Sequence, residues 1–366
     1  MQITRKVASK NDDTPDASQP EMRLSVIIPA RNESASLGAC LDSLLAQSER
    51  GFALGTDWEL IIIDDDSSDG TQQIAQAAAT GREGLVVLEA PLLDLSNRGG
   101  FTGKTNACWA GAQTARGAWL LFTDADTVHE PGNLSRAIHE AEKYEAALLS
   151  YSPRQIVTGF WQRAVMPLVF SELASAYPPK KVSSSGSPLA AANGQFLMVE
   201  RDAYFSVGGH RAIGREILED VALARAIKRR YGLRFRYAPD ALSTRMYRTL
   251  PEMVEGWTKN LALLFSSPLL MAGMQILQLL LFFGLPVLAF LLPLEYSWQR
   301  WAILVVWLRT TWGFYGRVAR AHFPVADTAI SILGVPLFVS LLLRSYLNHR
   351  ILKSVGWKGR SYNIGR

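Results

Sequence analysis

GKTNACWAGAQTARGAWLLFTDADT, residues 103–127, contains a predicted helix, a buried strand and two closely spaced acids. The apolar run at 118–122 is unbroken, which is typical of a strand in a parallel sheet covered on both faces. Asp124 and Asp126 follow at its carboxyl end, where ligands bind in open α/β sheets. Two carboxylates there can bind Mg²⁺ or Mn²⁺ together with phosphate oxygens. A turn or helix-cap role for Asp126 is the alternative that this stretch leaves open.

Apolar strands and amphipathic helices alternate along the first third of the chain. The pattern predicts strands at 24–28, 59–63, 86–89 and 118–123, and helices at 34–47, 72–79 and 104–115. This alternation indicates an α/β fold with a parallel, doubly wound sheet. Right-handed crossovers bring the carboxyl ends of such strands to one edge. The polar strand ends at 29–33, 64–66 and 124–126 are therefore predicted to lie together.

Acidic side chains dominate two of these three strand ends, and acids are unsuited to binding phosphate directly. They suit hydrogen bonds to a base or a ribose, and they suit metal ligation. The first strand is not followed by GxGxxG, and the chain contains no P-loop motif. Dinucleotide-binding and P-loop proteins are therefore disfavoured.

A second acidic pair, Glu219 and Asp220, lies in REILEDVALARAIKRRYG, residues 215–232. The apolar spacing predicts a helix, and both acids fall in its first turn, where negative charge is favoured by the helix dipole. That electrostatic role alone would explain them. The functional alternative is that Asp220 is a general base that deprotonates an acceptor hydroxyl.

Apolar segments dominate the last quarter of the chain. Residues 269–294 carry no charge and are long enough to cross a bilayer core of about 30 Å. Two further apolar segments follow, at 298–315 and 326–343, and the first of them contains Arg309. Basic residues cluster after the second and third segments, which predicts a cytoplasmic location for both clusters. Since three crossings would export the tail, we expect two or four crossings, or one segment lying in the interface.

Composition favours a membrane partner over nucleic acid. The net charge is +5, but much of the excess flanks the apolar segments, where attraction to anionic lipid explains it. Residues 1–23 lack an apolar stretch, so we expect a disordered leader rather than a signal peptide. Cys40 and Cys108 show no metal or disulfide spacing, in keeping with a reducing compartment.

The sequence resembles the inverting nucleotide-sugar glycosyltransferases of family 2, which have the GT-A fold. Five blocks in the same order carry the resemblance, and together they are far more specific than any one alone. They are SVIIPARNE (25–33), ELIIIDDDSSDGT (59–71), GKTNACWAGAQTARGAWLLFTDADT (103–127), AANGQFLMVERDAYFSVGGH (191–210) and ILEDVALARAIKRRYG (217–232). RMYRTLPEMVEGWTKNLA (245–262) and WKGRSY (357–362) are most similar to carotenoid- and hopanoid-associated members such as the diaponeurosporenoate glucosyltransferase type.

The resemblance implies a nucleotide pocket at the first two strand ends. Pro29, Arg31 and Glu33 would line it, and Asp65 would contact the base. Asp64 would either join them or orient the loop. The implied donor is a nucleoside diphosphate sugar.

The resemblance also implies the roles of the residues around the sugar. Asp124 and Asp126 match the DxD motif, with Asp126 the more direct metal ligand and Asp124 nearer the ribose or sugar. Lys104 would lie near the diphosphate, with a solvated lysine as the alternative. Asn193 and Gln195 would border the sugar. Glu219 and Asp220 match the acidic pair, with Asp220 as the base.

The sequence divides into a leader (1–23), a GT-A domain (24–248), an interfacial helix (249–268), a transmembrane region (269–347) and a basic cytoplasmic tail (348–366). In the interfacial helix, a stripe that includes Trp257 is expected to lie on the membrane surface and guide a lipid acceptor. Core packing is the alternative for this stripe. The QxxRW motif of processive synthases has no counterpart, so a single transfer is expected.

The resulting expectation is a multi-pass enzyme of the inner membrane that glycosylates a lipid-like acceptor, such as a carotenoid or a hopanoid, on the cytoplasmic side. Polyprenyl phosphate and glycerolipid acceptors remain open. From a different class, a non-catalytic membrane-anchored sensor or scaffold that binds nucleotide sugars is the alternative, although the presence of all three aspartates of the motifs disfavours it. A channel or transporter is disfavoured because the apolar segments lack paired intramembrane charges beyond Arg309.

Overall fold

The computed structural model describes residues 22–93, 100–293, 295, 297–357 and 360–363. Apart from residues 22 and 23, the expected disordered leader lies outside the described residues. The strands are β1 (Leu24–Ala30), β2 (Trp58–Asp64), β3 (Leu85–Glu89), β4 (Trp119–Phe122), β5 (Thr127–His129), β6 (Leu148–Ser152), β7 (Arg154–Gln155), β8 (Leu197–Glu200), β9 (Leu233–Tyr237), β10 (Leu242–Thr244), β11 (Ser354–Trp357) and β12 (Arg360–Asn363).

Thirteen α-helices are seen in this part of the chain. They are α1 (Leu37–Leu45), α2 (Thr71–Ala79), α3 (Gly103–Thr114), α4 (Asn133–Lys143), α5 (Phe160–Ala176), α6 (Pro179–Val182), α7 (Arg201–Ser206), α8 (Gly209–Ala212), α9 (Glu219–Lys228), α10 (Leu250–Leu264), α11 (Pro268–Leu291), α12 (Ser297–Val318) and α13 (Val325–Leu347).

A seven-stranded sheet with the order β3-β2-β1-β4-β8-β6-β9 forms the centre of the α/β region. The strand period of two divides its apolar side chains between two faces. In β1, Val26 and Ile28 join a core with α1 and α4, whereas Ile27 joins the opposite core with α3 and α9. Helices therefore cover both faces, as the unbroken apolar runs predict.

The sheet is mixed rather than wholly parallel. β3, β2, β1 and β4 are parallel, in agreement with the expected alternation. β8 runs antiparallel to both β4 and β6. Strand direction depends on how a distant segment returns to the sheet, and the local apolar pattern of β8 carries no information about it.

A third core joins the α/β region to the C-terminal helices. α13 packs along α5 so closely that a Cβ on Gly334 would lie 2.3 Å from the carbonyl oxygen of Ala164. Met253, Trp257 and Leu261 of α10 are buried in the same core. The stripe of α10 therefore packs inside the protein, which is the core-packing alternative for this helix.

Two of the helices described here are long and apolar enough to cross a membrane: α11, and α13 extended to Leu352. α11 is mostly exposed: 11% of its apolar 18-residue stretch is buried inside the protein. The corresponding buried share for α13 is 50%. The second apolar segment forms α12, which packs against α11. The exposed apolar surface is therefore concentrated on α11 and α12, whereas α13 is largely shared with the third core.

The described part of the tail contains defined secondary structure. After a π-helical turn at Asn348–Leu352, β11 and β12 pair as an antiparallel hairpin. β11 packs against α10, and Arg360 of β12 contacts Asp65 at the end of β2. The C-terminal hairpin (β11 and β12) thus lies against the end of the large sheet at which β2 terminates.

Candidate active site

A cavity of about 1100 Å³ opens at the carboxyl ends of β1, β2 and β4. The predicted site residues that line it are Pro29, Arg31, Glu33, Asp65, Lys104, Asp124, Asp126, Asn193, Gln195, Glu219, Asp220 and Trp257. Asp64 is buried and does not line it; its Oδ2 accepts a hydrogen bond from Ser67 N at 3.3 Å. Asp64 thus contacts the loop that follows β2.

The loops after β1 and β2 form one end of the cavity. Nη1 of Arg31 donates to the carbonyl oxygens of Asp65 at 2.5 Å and Asp66 at 3.0 Å. The amide of Asp65 donates to the carbonyl of Ala30 at 2.8 Å. Burial raises the pKa of the Asp65 carboxyl, although Arg360 and Arg31 oppose this. Asp65 is thus held in place by hydrogen bonds of its backbone. The guanidinium groups of Arg360 and Arg31 partly balance the negative charge of its carboxylate.

Glu33 stabilises the start of α1 beside this end of the cavity. Its carboxylate accepts a hydrogen bond from Ser36 Oγ at 2.7 Å, and its amide donates to Thr71 Oγ1 at 2.7 Å. The second contact joins the β1 loop to α2. The structure therefore gives Glu33 a role in shaping the pocket wall.

Lys104 lies at the centre of the site, in the first turn of α3. The helix begins there because Thr102 caps it, its side chain accepting a hydrogen bond from Thr105 N. Nζ of Lys104 lies 2.8 Å from Asp124 Oδ1 and 2.8 Å from Glu219 Oε1. These paired contacts differ from the solvated lysine considered as the alternative, because they join two separate acidic motifs.

Asp124 and Asp126 occupy the loop after β4. The turn alternative describes their backbone well: Asp124 O accepts from Thr127 N at 3.2 Å, and Asp126 O accepts from Thr244 Oγ1 at 3.2 Å. Both residues nevertheless line the cavity. Among the residues with described positions, no group of three or more His, Cys, Asp or Glu side chains forms a metal site. Two carboxylates fit Mg²⁺ or Mn²⁺ when donor phosphates and water complete the shell.

Asp220 lies where α9 begins, and its two oxygens accept backbone hydrogen bonds. Gly194 N donates to Oδ2 at 2.9 Å, and Val221 N donates to Oδ1 at 2.7 Å. Burial, and then the charge of Glu219, raise the pKa of Asp220 to about 7, against an opposing effect of Lys104. For Glu219 burial acts in the same direction, but Lys104 outweighs it and lowers the pKa. Asp220 is thus the acid of the pair that can exchange a proton near neutral pH.

The loop before β8 completes this part of the site. Asn193 N donates to Ser150 Oγ at 2.8 Å, and Gln195 Nε2 donates to Thr244 Oγ1 at 3.1 Å. A Cβ on Gly194 would lie 2.8 Å from Lys104 Nζ, and 3.4 Å and 3.7 Å from the carboxylates of Glu219 and Asp220. A side chain at position 194 would therefore displace the Lys104 ammonium group from its place beside the two acids.

Two cations near the site were missed by the sequence reasoning. Lys259 of α10 lines the cavity; burial lowers its pKa, although Glu219 and Asp124 act in the opposite direction. Arg360 contacts Asp65 from the C-terminal hairpin. Both lie in the blocks at 245–262 and 357–362, so those blocks were the available signal.

Part of the cavity wall is apolar and is formed by the helical region. Phe170, Leu173, Tyr177, Leu264 and Phe323 line it. Tyr177 is held by a hydrogen bond from its hydroxyl to the carbonyl of Leu264 at 2.6 Å. One continuous cavity therefore leads from the acidic centre to an apolar wall beside the C-terminal helices.

Comparison with known proteins shows which family the chain resembles. The family model described as glycosyl transferase family 2 matches residues 25–221. The 4,4'-diaponeurosporenoate glycosyltransferase of Staphylococcus haemolyticus is 29% identical over 351 residues, which are 93% of this chain and 88% of that protein. The protein of the same name from a bovine strain of Staphylococcus aureus is 26% identical over 372 residues, covering 94% of this chain and 89% of that protein.

A solved structure shows the same fold. It is a mannosyltransferase from Pyrobaculum calidifontis in complex with GDP-Man and Mn²⁺, with a TM-score of 0.52 and 16% identity, covering 92% of this chain and 89% of that one. The likeness confirms a GT-A-like mixed α/β fold with a central sheet. The family match spans more than half of the chain and includes β1, Asp124, Asp126 and Asp220. The chain therefore belongs to glycosyltransferase family 2.

Proposed function

We propose that this glycosyltransferase moves a sugar from a nucleoside diphosphate sugar to a lipid-like acceptor at a membrane, in a metal-dependent single displacement with inversion. The observation that carries the proposal is the position of Asp220 in the same cavity as Lys104, which joins the DxD residue Asp124 to Glu219. A base, a cation and a pair of acids at one strand edge are the parts that such a reaction needs.

The donor would lie along the strand ends. Its nucleoside would occupy the pocket at Arg31 and Asp65, and its diphosphate would lie beside Lys104 and the DxD loop. Asp126 and Asp124 would hold Mg²⁺ or Mn²⁺, and the ion would supply positive charge to balance the departing diphosphate. Lys104 contributes a fixed positive charge at the same place, and fixed charges need no reorganisation during the reaction.

Asp220 would act on the acceptor. Its carboxylate takes the proton of an acceptor hydroxyl while the oxygen attacks the anomeric carbon, and the bond to the diphosphate oxygen breaks on the opposite face. The sugar therefore changes its anomeric configuration. The pKa of about 7 suits this role, because a base is most effective when its pKa lies near the working pH.

A lipid-like acceptor is supported by the apolar part of the cavity wall and by the exposed apolar surface of α11. The name of the two staphylococcal relatives points to a carotenoid acceptor in those proteins. The hairpin contact with Asp65 supports an even number of crossings, with the tail and the catalytic domain on one side. We assign that side to the cytoplasm of an inner-membrane protein, since the basic clusters favour it.

Thermal stabilisation identifies the donor, and lipid analysis identifies the acceptor. The purified full chain is screened with UDP-, GDP-, ADP- and dTDP-sugars in the presence and absence of Mn²⁺. A stabilising donor is then incubated with membrane extracts, and the lipids are examined by mass spectrometry. A lipid heavier by one sugar residue supports the proposal. Stabilisation without a glycosylated lipid would favour the sensor alternative.

A further inference from the structure

Arg360 and Asp65 form an ion pair between the C-terminal hairpin and the nucleotide end of the cavity. Nη1 of Arg360 lies 2.5 Å from Asp65 Oδ2, and Nη2 lies 3.7 Å from Asp66 Oδ2. The side chains of Arg360 and Asp65 are 16% and 8% exposed, so water screens the contact little. The pair joins residues 295 positions apart, across the whole C-terminal helical region.

Gly103 shows how tightly this contact is built. A Cβ on Gly103 would lie 2.2 Å from both Arg360 Nη1 and Asp65 Oδ2. The ion pair is therefore packed onto the first residue of α3, directly before Lys104, which lines the cavity. Three elements distant in sequence meet at one point of the donor pocket: the β2 loop, the start of α3 and the hairpin.

We propose that Arg360 is a positioning residue of the donor site, which holds the Asp65 carboxylate in place to accept a hydrogen bond from an N–H of the donor nucleobase. Nucleoside binding then depends on the C-terminal hairpin. This inference rests on the proposed function, because it takes Asp65 as the contact to the base. Arg360 binds Oδ2 of the carboxylate, and a nucleobase N–H can be accepted at Oδ1.

The charges around Asp65 support this role. Burial raises the pKa of Asp65, and Asp66 adds to the effect; Arg360 opposes it most strongly and Arg31 assists. A carboxylate can accept from a nucleobase N–H, whereas the protonated acid has lost part of this capacity. Arg360 therefore fixes the direction of the carboxylate and also keeps it ionised at lower pH.

The test measures nucleotide affinity directly, separately from sugar transfer. The full chain in detergent is titrated calorimetrically with UDP, GDP, ADP, CDP and dTDP in the presence of Mn²⁺. The nucleotide that binds best is then used with Arg360→Ala, Arg360→Lys and Arg350→Ala. Arg350 lies in the same tail and is exposed, so its substitution removes the same charge without touching the pocket. Melting temperatures without nucleotide verify that each variant is folded.

We expect Arg360→Ala to weaken nucleotide binding about tenfold, which is typical for loss of a hydrogen bond to a charged group. Arg360→Lys should recover part of the affinity, and Arg350→Ala should match the unaltered protein. The pH at which acid abolishes binding should be higher in Arg360→Ala. In an Asp65→Asn background, removal of Arg360 should have little further effect, because its partner carboxylate is gone.

Unchanged affinity in Arg360→Ala would overturn the inference, and so would tighter binding, which would show that the hairpin competes with the nucleotide. Failure of the unaltered protein to bind any of the five nucleotides would overturn both proposals. Nucleotide binding that depends on Arg360 in a protein that transfers no sugar would contradict the proposed function alone.

Discussion

Lys104 Nζ, in the first turn of α3, lies 2.8 Å from Glu219 Oε1, in the first turn of α9. The contact connects two motifs that are far apart in sequence, and Asp124 joins it at 2.8 Å from the same nitrogen. The charge on Lys104 lowers the pKa of Glu219 against the effect of burial and also restrains the rise in the pKa of Asp220. Lys104 thus acts to lower the pKa of both acids of the pair.

Replacement of Asp220 with Asn should abolish the chemical step and spare donor binding. Asparagine keeps the shape of the side chain but cannot take the acceptor proton, so we expect kcat to fall by roughly 10²- to 10⁴-fold. Steady-state transfer assays and nucleotide titrations in the presence of Mn²⁺ measure the two effects separately. Asp202→Asn is the matched control, since Asp202 also lies in the first turn of a helix but is exposed. Transfer at the normal rate by Asp220→Asn would rule out its role as the base.

Replacement of Lys104 with Met should lower kcat/KM by roughly 10²- to 10³-fold, the range seen when a preorganised charge-stabilising group is removed. Methionine retains much of the length of lysine without its charge. The exposed Lys143 at the end of α4 provides the control substitution, Lys143→Met. Equal activity of the two variants would show that Lys104 serves only to pack α3 against α9.

The rate of transfer should depend on an ionisation near pH 7. The pKa of Asp220 is raised to about 7, first by burial and then by Glu219, and the base must be deprotonated. The rate is therefore full above this pH and falls about tenfold for each pH unit below it. Because Lys104 lowers the pKa of Asp220, residual activity in Lys104→Met should show this limb at higher pH. A profile of kcat/KM that is flat from pH 5 to 8 would contradict the assignment.

Gly194→Ala tests the close approach between the β8 loop and the acidic centre. The new methyl group would lie 2.8 Å from Lys104 Nζ, so either the loop or the lysine must move. We expect a loss of at least tenfold in transfer with little change in melting temperature, because small displacements in an active site are costly. Gly186→Ala is the control: its Cβ would meet only Ser184 Oγ, at 3.9 Å. Comparable loss in both variants would point to a general effect on the loop.

Aspartate at Leu277 and Leu280 of α11 should weaken membrane insertion. Both leucines are more than half exposed, and an acid at the centre of a spanning helix costs roughly 2.5–3.5 kcal/mol. Alkaline extraction of membranes should release more of the doubly substituted protein. Leu92→Asp is the control, since Leu92 is 98% exposed in the catalytic region. Equal retention of both proteins would show that α11 does not contact lipid.

The sequence was most informative where local pattern and burial coincide. β1, β2 and β4 were predicted because their apolar runs are unbroken, and they lie within one or two residues of the expected bounds. The clustering of their carboxyl ends followed from parallel topology alone, and it brought Arg31, Asp65 and Asp124 to one cavity. The apolar spacing after the acidic pair also predicted a helix with Glu219 and Asp220 in its first turn, as seen in α9.

The parts that were not predicted depend on contacts between distant segments. The direction of β8 depends on how the chain returns to the sheet after α6, and the pairing of Arg360 with Asp65 spans 295 positions. The stripe of α10 has the same spacing on a membrane surface as in a core, so the sequence could not separate the two; α5 and α13 bury it. Lys104 was recognised as a candidate, but its two partners became evident only from the fold.

The configuration of the product tests the central claim most directly. The full chain in membranes receives an α-linked nucleotide sugar with a ¹³C-labelled anomeric carbon, and the lipid fraction is examined by NMR. Inversion through Asp220 predicts label in lipid as a β-linked sugar, and none in lipid from Asp220→Asn. An α-linked glycolipid, or label found only as free sugar, would contradict the account.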